Sequence, residues 1–148
     1  MRSVVQRVSR SSLTVGGAQL AVTEHGLVVL VGFAPEDAER DLQWMSEKVA
    51  GLRIFPDAEG KMNLSVVDVD GTVLAVPNFT LYGDCRKGKR PSFTEAAGPD
   101  IATDLFHGFC ELLARSVPVA RGVFGAHMHV ELVNDGPITL ILDSRRAS

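Results

Sequence analysis

The stretch ELVNDGPITLILD, Glu131 to Asp143, decides how the fold is read. Apolar and polar residues alternate on both sides of Asn134-Asp135-Gly136-Pro137, which is the pattern of two β-strands. Asn-Asp-Gly between such runs is hairpin chemistry, so the sequence predicts two antiparallel neighbours joined by a turn. The proline is foreign to an ordinary turn of that kind. It removes an N–H, and Gly136 removes a side chain, so the pair presents backbone carbonyls and little else. An X–Pro bond also reaches the cis form for about 0.5–1 kcal/mol. Gly136-Pro137 is therefore either a plain turn or a bare tip whose carbonyls can accept hydrogen bonds from an ammonium group.

Upstream, AHMHVELV (residues 126–133) is the first of these strands. His127 and His129 lie two apart and share a face. With no nearby cysteine or third histidine they read as a solvated polar face rather than a metal site. Met128, Val130 and Leu132 make the opposite, apolar face. Nearer the N-terminus, SVVQRVSRSSLTV reads as strand, Gly16-Gly17 as a hairpin turn and AQLAV as its return. GLVVLVGF, Gly26 to Phe33, is an unbroken apolar run of strand length, buried on both faces.

The period then changes. Ala38, Leu42, Met45 and Val49 recur in steps of four, three and four, which predicts a helix starting near Pro35-Glu36-Asp37 and ending at Gly51. LRIF (residues 52–55) returns to strand, and residues 57–71 are turn-rich with a short strand inside. TVLAVPNFTLY is strand-like, and Pro77 marks it as an edge strand or a bulge. A second helix follows Pro99, with Ile101, Leu105, Phe109, Leu112 and Leu113 as its apolar face. The tail SRRAS reads as frayed. Strands, helix, strands, helix, strands in one chain of 148 residues predict a single α/β (α+β) domain over residues 1–148. Its sheet is expected to be mostly antiparallel and barrel-like, with two helices packed outside.

Composition is ordinary: 45% hydrophobic, 22% charged, net charge −3. No apolar run approaches the ~20 residues of a membrane span, and the N-terminus has no apolar signal segment. A soluble cytoplasmic protein with two free thiols, Cys85 and Cys110, is expected. No nucleophile elbow, buried carboxylate pair or metal-ligand set is present, so no cofactor or metal is expected. CRKGKRPSF puts Arg86, Lys87, Lys89 and Arg90 within five residues. This is either a phosphate-binding loop or a solvated one. In VPNFTLYGD, a bulge at Pro77 could free N–H groups beside Thr80 to stabilise an oxyanion, or the segment is simply a buried edge strand.

These pieces occur together in one family. The chain resembles the bacterial and eukaryotic D-aminoacyl-tRNA deacylases through VVQRVSRSSLTV, GLVVLVGF, KMNLSV, FTLYGDCRKGKRPSF and FGAHMHVELVNDGPITL. The resemblance implies a homodimer, with active sites at the subunit interface, that hydrolyses the ester joining a D-amino acid to the 3′ end of tRNA. The family's Gly-cisPro element falls on Gly136 and Pro137, which would enter the partner's pocket and hold the substrate's α-amino group. Its Ser-Gln-Phe-Thr-Leu motif falls on Pro77 to Leu81. By that correspondence Phe79 contributes backbone N–H and Thr80 stands beside the ester. Asn78 and Met128 would line the pocket, Arg7 would anchor the Gly-Pro loop, and Arg86, Lys87, Lys89 and Arg90 would bind tRNA. Pro77-Asn78 departs from the family's Ser-Gln: Asn78 keeps the amide on a shorter arm, and Pro77 lacks the hydroxyl and N–H. Two other readings stand beside this one: a sister deacylase clearing L-alanine or glycine from mischarged tRNA, and a non-catalytic RNA-binding dimer.

Overall fold

The structure, a computed structural model, describes residues 1–146. Its elements are β1 (Arg2–Val15), β2 (Ala18–Thr23), β3 (Gly26–Gly32), α1 (Glu39–Gly51), β4 (Phe55–Pro56), β5 (Met62–Leu64), β6 (Thr72–Pro77), α2 (Pro99–Leu113), β7 (Val119–Arg121) and β8 (Met128–Asp143). Single 3₁₀ turns occupy Phe79–Tyr82 and Ser144–Arg146. β4 and β5 form a separate two-stranded ribbon; only Phe55 of the expected LRIF strand is paired.

The long strand β1 organises the main sheet. One of its edges pairs with β3 along Arg2–Val8 and with β2 along Ser11–Val15. The other edge carries β8 from Arg2↔Asp143 to Val15↔Met128. The segment read as a hairpin is therefore one strand with an interruption. Both halves of β8 pair with β1, and neither pairs with the other.

The sheet is mixed: every pairing of β1 is antiparallel, but the sheet is not antiparallel throughout. β3 pairs parallel with β6, and β6 parallel with β7. Parallel neighbours need a long crossover, and α1 and α2 supply the two crossovers. This explains why β3 and β6 are apolar on both faces: sheet neighbours flank each edge and packed side chains cover each face. β6 is thus an interior strand, not an edge. Pro77 is tolerated because it is the last strand residue, and the next N–H, of Asn78, donates to Val31 O at 2.7 Å. The chain does not bulge there; it enters the 3₁₀ turn.

α1 buries Leu42, Met45 and Val49 as expected, each burial contributing roughly 1.5–3 kcal/mol. Ala38 lies just outside the helix, where Asp41 Oδ2 accepts its N–H at 2.9 Å. In α2 the buried face is Ala102, Phe106, Phe109, Cys110 and Leu113, and Ile101 is 51% exposed. Phe109 and Leu113 are buried as expected and Leu105 and Leu112 pack against the core, but Ile101 faces solvent and Ala102, Phe106 and Cys110 are buried in addition. A Cβ on Gly108 would stand 3.0 Å from Leu42 Cδ1.

The C-terminal segment is tied down through Ser144. Its N–H donates to Met1 O at 2.9 Å, and its hydroxyl donates to Asp41 Oδ1 at 2.7 Å. Arg145 pairs with Glu36. Of the tail expected to fray, residues 147 and 148 lie outside the described residues. The α-ammonium of Met1 is buried against Asp37, N to Oδ1 2.7 Å, with side-chain exposures of 0% and 1%.

Cys85 is exposed and Cys110 buried, both as free thiols. Burial in α2 pushes the Cys110 thiol up to about 12. Iodoacetamide at pH 8 is expected to modify one thiol per native chain and both after unfolding, counted by intact mass. Two native adducts would contradict the packing of α2. No helix among the described residues is long and apolar enough to cross a membrane.

Candidate active site

The segment after β6 is positioned from both ends. Asn78 N–H holds to β3, and Tyr82, at the far end of the 3₁₀ turn, is buried. The Arg2 guanidinium lies 4.5 Å over the Tyr82 ring, and its Nη1 donates to Leu81 O at 3.3 Å. Burial, reinforced by Asp37, pushes the Tyr82 phenol well above its usual range. Between these anchors Phe79 and Thr80 face solvent. As the first residues of the turn, their N–H groups have no acceptor inside it. The Thr80 hydroxyl donates to the Asn78 side-chain oxygen. Among the described residues no histidine or carboxylate hydrogen-bonds Thr80, and no group of metal-ligating side chains exists.

Met128 belongs to the same region. A Cβ on Gly122 would lie 3.0 Å from both Met128 Sδ and Pro77 Cδ, so the start of β8 meets the end of β6 across that glycine.

The Gly136-Pro137 loop is a second constellation. Asn134 pairs with Val8 and Thr139 with Gln6, so residues 135–138 bulge out opposite Arg7 alone. Asn134 closes the bulge on itself: its Oδ1 accepts Ile138 N–H at 3.0 Å and its Nδ2 donates to Thr139 Oγ1 at 2.9 Å. This is the Asx habit of closing a turn through the side chain. Arg7, 11% exposed, braces the loop from beneath. Its Nε donates to Asp135 O at 3.1 Å and lies 3.4 Å from Asp135 Oδ2, while Nη1 donates to Ile54 O at 2.7 Å. The Gly136–Pro137 peptide bond is cis, and both residues are exposed.

The two constellations stand apart within one chain. Arg7 is level with Leu27 and Val73, at the start of β6, whereas Pro77 is opposite Val31. Along β8, Met128 and Asn134 lie six positions apart on paired strand, on the order of 20 Å.

The basic loop is closed by reciprocal hydrogen bonds between Asp84 and Ser92, 2.7 and 2.9 Å. Arg86 turns back on Asp84 with two side-chain bonds, 2.9 and 2.6 Å, and holds that carboxyl at about 2. Lys87, Lys89 and Arg90 are exposed and carry no ion pair among the described residues. A cleft of about 510 Å³ lies between Asp84, Arg86, Lys87, Arg90 and Ser92. A slightly larger cleft, about 540 Å³, runs along β2, β1 and β8 and is lined by none of the candidate site residues. His127 and His129 stack edge to face at 5.1 Å and are both exposed.

The profile of the D-Tyr-tRNA(Tyr) deacylase family matches residues 4–143. The chain belongs to this family. A protein named D-aminoacyl-tRNA deacylase from Thermotoga petrophila is 55% identical over 147 residues, covering 99% of both chains. One of the same name from Koribacter versatilis is 57% identical over the same length and coverage. Among solved structures, the c-Myc DNA Unwinding Element Binding Protein superposes with a TM-score of 0.92 at 39% identity, covering 97% of this chain and 98% of the other. A probable eukaryotic D-amino acid tRNA deacylase, 18% identical, shares the fold with a TM-score of 0.82 over 95% and 97% of the two chains. Within this deacylase family member, sequence reasoning missed Asn134 and Ile54 as supports of the loop. The Asx signal of Asn134 was present in the sequence; the Ile54 carbonyl had none.

Proposed function

We propose that this chain, a single cytoplasmic domain, is a D-aminoacyl-tRNA deacylase, an ester hydrolase that releases D-amino acids from the 3′ end of tRNA. The observation that carries the reading is the braced tip at Gly136-Pro137, which exposes backbone carbonyls and no polar side chain from these two residues, in a chain of this family. A main-chain tip reads the geometry around the substrate's Cα and ignores side-chain identity. It accepts many D-residues, while an L-side chain strikes it. Glycine has nothing to strike, so glycyl-tRNA is a second substrate.

The separation of the tip from Thr80 supports a homodimer in which each tip enters the partner's pocket beside Asn78, Phe79, Thr80 and Met128. The N–H groups of Phe79 and Thr80 stabilise the oxyanion. The Thr80 hydroxyl donates a hydrogen bond to the Asn78 amide oxygen, which is too weak a base to take its proton, so Thr80 is not the nucleophile. The terminal ribose 2′-OH positions the attacking water instead. Thr80→Ala is accordingly expected to keep single-turnover deacylation of D-Tyr-tRNA within about tenfold of the parent. Near-complete loss with intact tRNA binding would make Thr80 the nucleophile.

The test of the whole reading is hydrolysis of D-Tyr-tRNA, Gly-tRNA and L-Ala-tRNA by the purified protein. The first two are expected to be cleaved. Cleavage of L-Ala-tRNA alone would identify a sister activity. Binding without any cleavage would favour a nucleic-acid-binding role, which the DNA-binding name of the 39% identical relative keeps in view.

A further inference from the structure

Phe93 has no part in the chemistry described so far. It follows Ser92, which closes the basic loop, and its ring meets Phe79 edge to face, centroids 5.0 Å apart at 72°. Phe79 is 53% exposed and Phe93 38%, so two large rings share one patch of solvent-facing surface. The contact is built in. Gly83 has an ordinary φ of −65°, yet a Cβ there would lie 3.0 Å from Phe93 Cε1 and 3.0 Å from Thr80 O. A side chain at 83 would therefore press on the Phe93 ring and on the Thr80 carbonyl alike, so glycine there lets the ring pack close to the turn.

The patch adjoins Thr80 through Phe79, and through Phe93 it adjoins Ser92, at the closed base of the loop that carries the exposed cations Lys87, Lys89 and Arg90. Aromatic faces beside a cationic loop hold single-stranded nucleic acid in a sequence-tolerant way: bases stack on the rings and phosphates pair with the cations. We propose that Phe79 and Phe93 form a stacking platform for an unpaired base of the tRNA 3′ end, with the loop taking the adjoining phosphates. This rests on the deacylase reading, which puts the terminal ribose at Thr80. A base held between Thr80 and the loop belongs to the nucleotide on the 5′ side of the terminal one.

The experiment compares Phe93→Ala, Phe93→Leu and Phe93→Tyr on D-Tyr-tRNA and on 3′-D-tyrosyl-adenosine, which has no preceding nucleotide. Phe93→Ala and Phe93→Leu are expected to raise KM for D-Tyr-tRNA about tenfold, with kcat little changed. Phe93→Tyr keeps the parent value, and all three hydrolyse tyrosyl-adenosine as the parent does. Equal losses on both substrates, full rescue by leucine, or a changed oligomeric state in sedimentation would overturn the platform. A second measurement stands apart from catalysis, so that failure of the deacylase reading does not mask the result. The parent is expected to bind uncharged tRNA more tightly than tRNA lacking its last two nucleotides, and Phe93→Ala to bind both alike. A preference unchanged by Phe93→Ala would equally overturn it.

Discussion

Gly136→Ala is expected to lower single-turnover deacylation of D-Tyr-tRNA about 100-fold, the size of loss that a displacement of roughly 1 Å in a positioning element produces. Gly136 has φ +135°, a conformation that L-residues rarely adopt. An ideal Cβ would lie 2.9 Å from Ile138 N and 2.9 Å from Ile138 Cγ1. The side chain can rotate away, but the backbone nitrogen cannot. That nitrogen donates to Asn134 Oδ1 at 3.0 Å, so moving it opens the clasp that shapes the loop. The cost to the fold is small, about 1–3 kcal/mol for the backbone conformation, because the tip is exposed and outside the β1–β8 ladder. The checks are a rate measurement and a thermal melt on the same preparation. Parent-like turnover would remove Gly136-Pro137 from the mechanism.

Asp37→Ala is expected to be the most destabilising single change considered, costing about 3–5 kcal/mol and lowering Tm by on the order of 10 °C. Asp37 Oδ1 accepts from the Met1 ammonium at 2.7 Å, and Oδ2 from Ala34 N–H at 2.7 Å. Alanine leaves a buried positive charge and an orphaned N–H together. Ser144 Oγ, 3.1 Å from the ammonium, is a neutral partner and cannot replace the carboxylate. Asp37→Asn keeps an acceptor for Ala34 and should fall between alanine and the parent. Differential scanning calorimetry decides; an alanine variant melting within about 2 °C of the parent would show that the pair contributes little.

How far the sequence carried these conclusions depends on which physical signal each one used. Periodicity marked β1, β2, β8 and α1, because a half-buried strand and an amphipathic helix each write their burial into the spacing, while β3 was marked by its unbroken apolar run. It did not identify partners. NDGP between two alternating runs is equally the signature of a hairpin and of a bulge in one long strand. The choice is made by β1, whose fourteen residues accept both halves of β8. The parallel pairs had a signal that was not weighed: runs apolar on both faces, each followed by a helix, mark crossover strands. In α2 apolar residues surround most of the helix, so spacing alone cannot choose the buried side. Pro77 was read for the N–H it lacks, but its position at the strand end makes that loss harmless.

The candidate site was legible in two different ways. The resemblance named Gly136, Pro137, Arg7 and the Pro77–Leu81 segment, and the structure puts Arg7 against the loop. That the tip and the Thr80 segment stand apart in one chain is a matter of strand register, which no motif encodes. Asn78 bonding its own neighbour Thr80 follows from local turn geometry, invisible until the 3₁₀ turn replaces the expected strand.

The clasp made by Asn134 bears on how such a protein can change over generations. Substitutions in a recognition site commonly erode stability, because the residues that recognise also pack. Here the ladder resumes on both sides of the bulge, and Asp135, Gly136 and Pro137 lie outside the core. Changes at Asp135 and Pro137 leave the hydrophobic core and the flanking ladder untouched, whereas Gly136 is held by its own φ of +135° and by the clasp above it. If the tip is the recognition element proposed above, selection on what it recognises is thereby largely separated from selection on the core, with Gly136 answering to both.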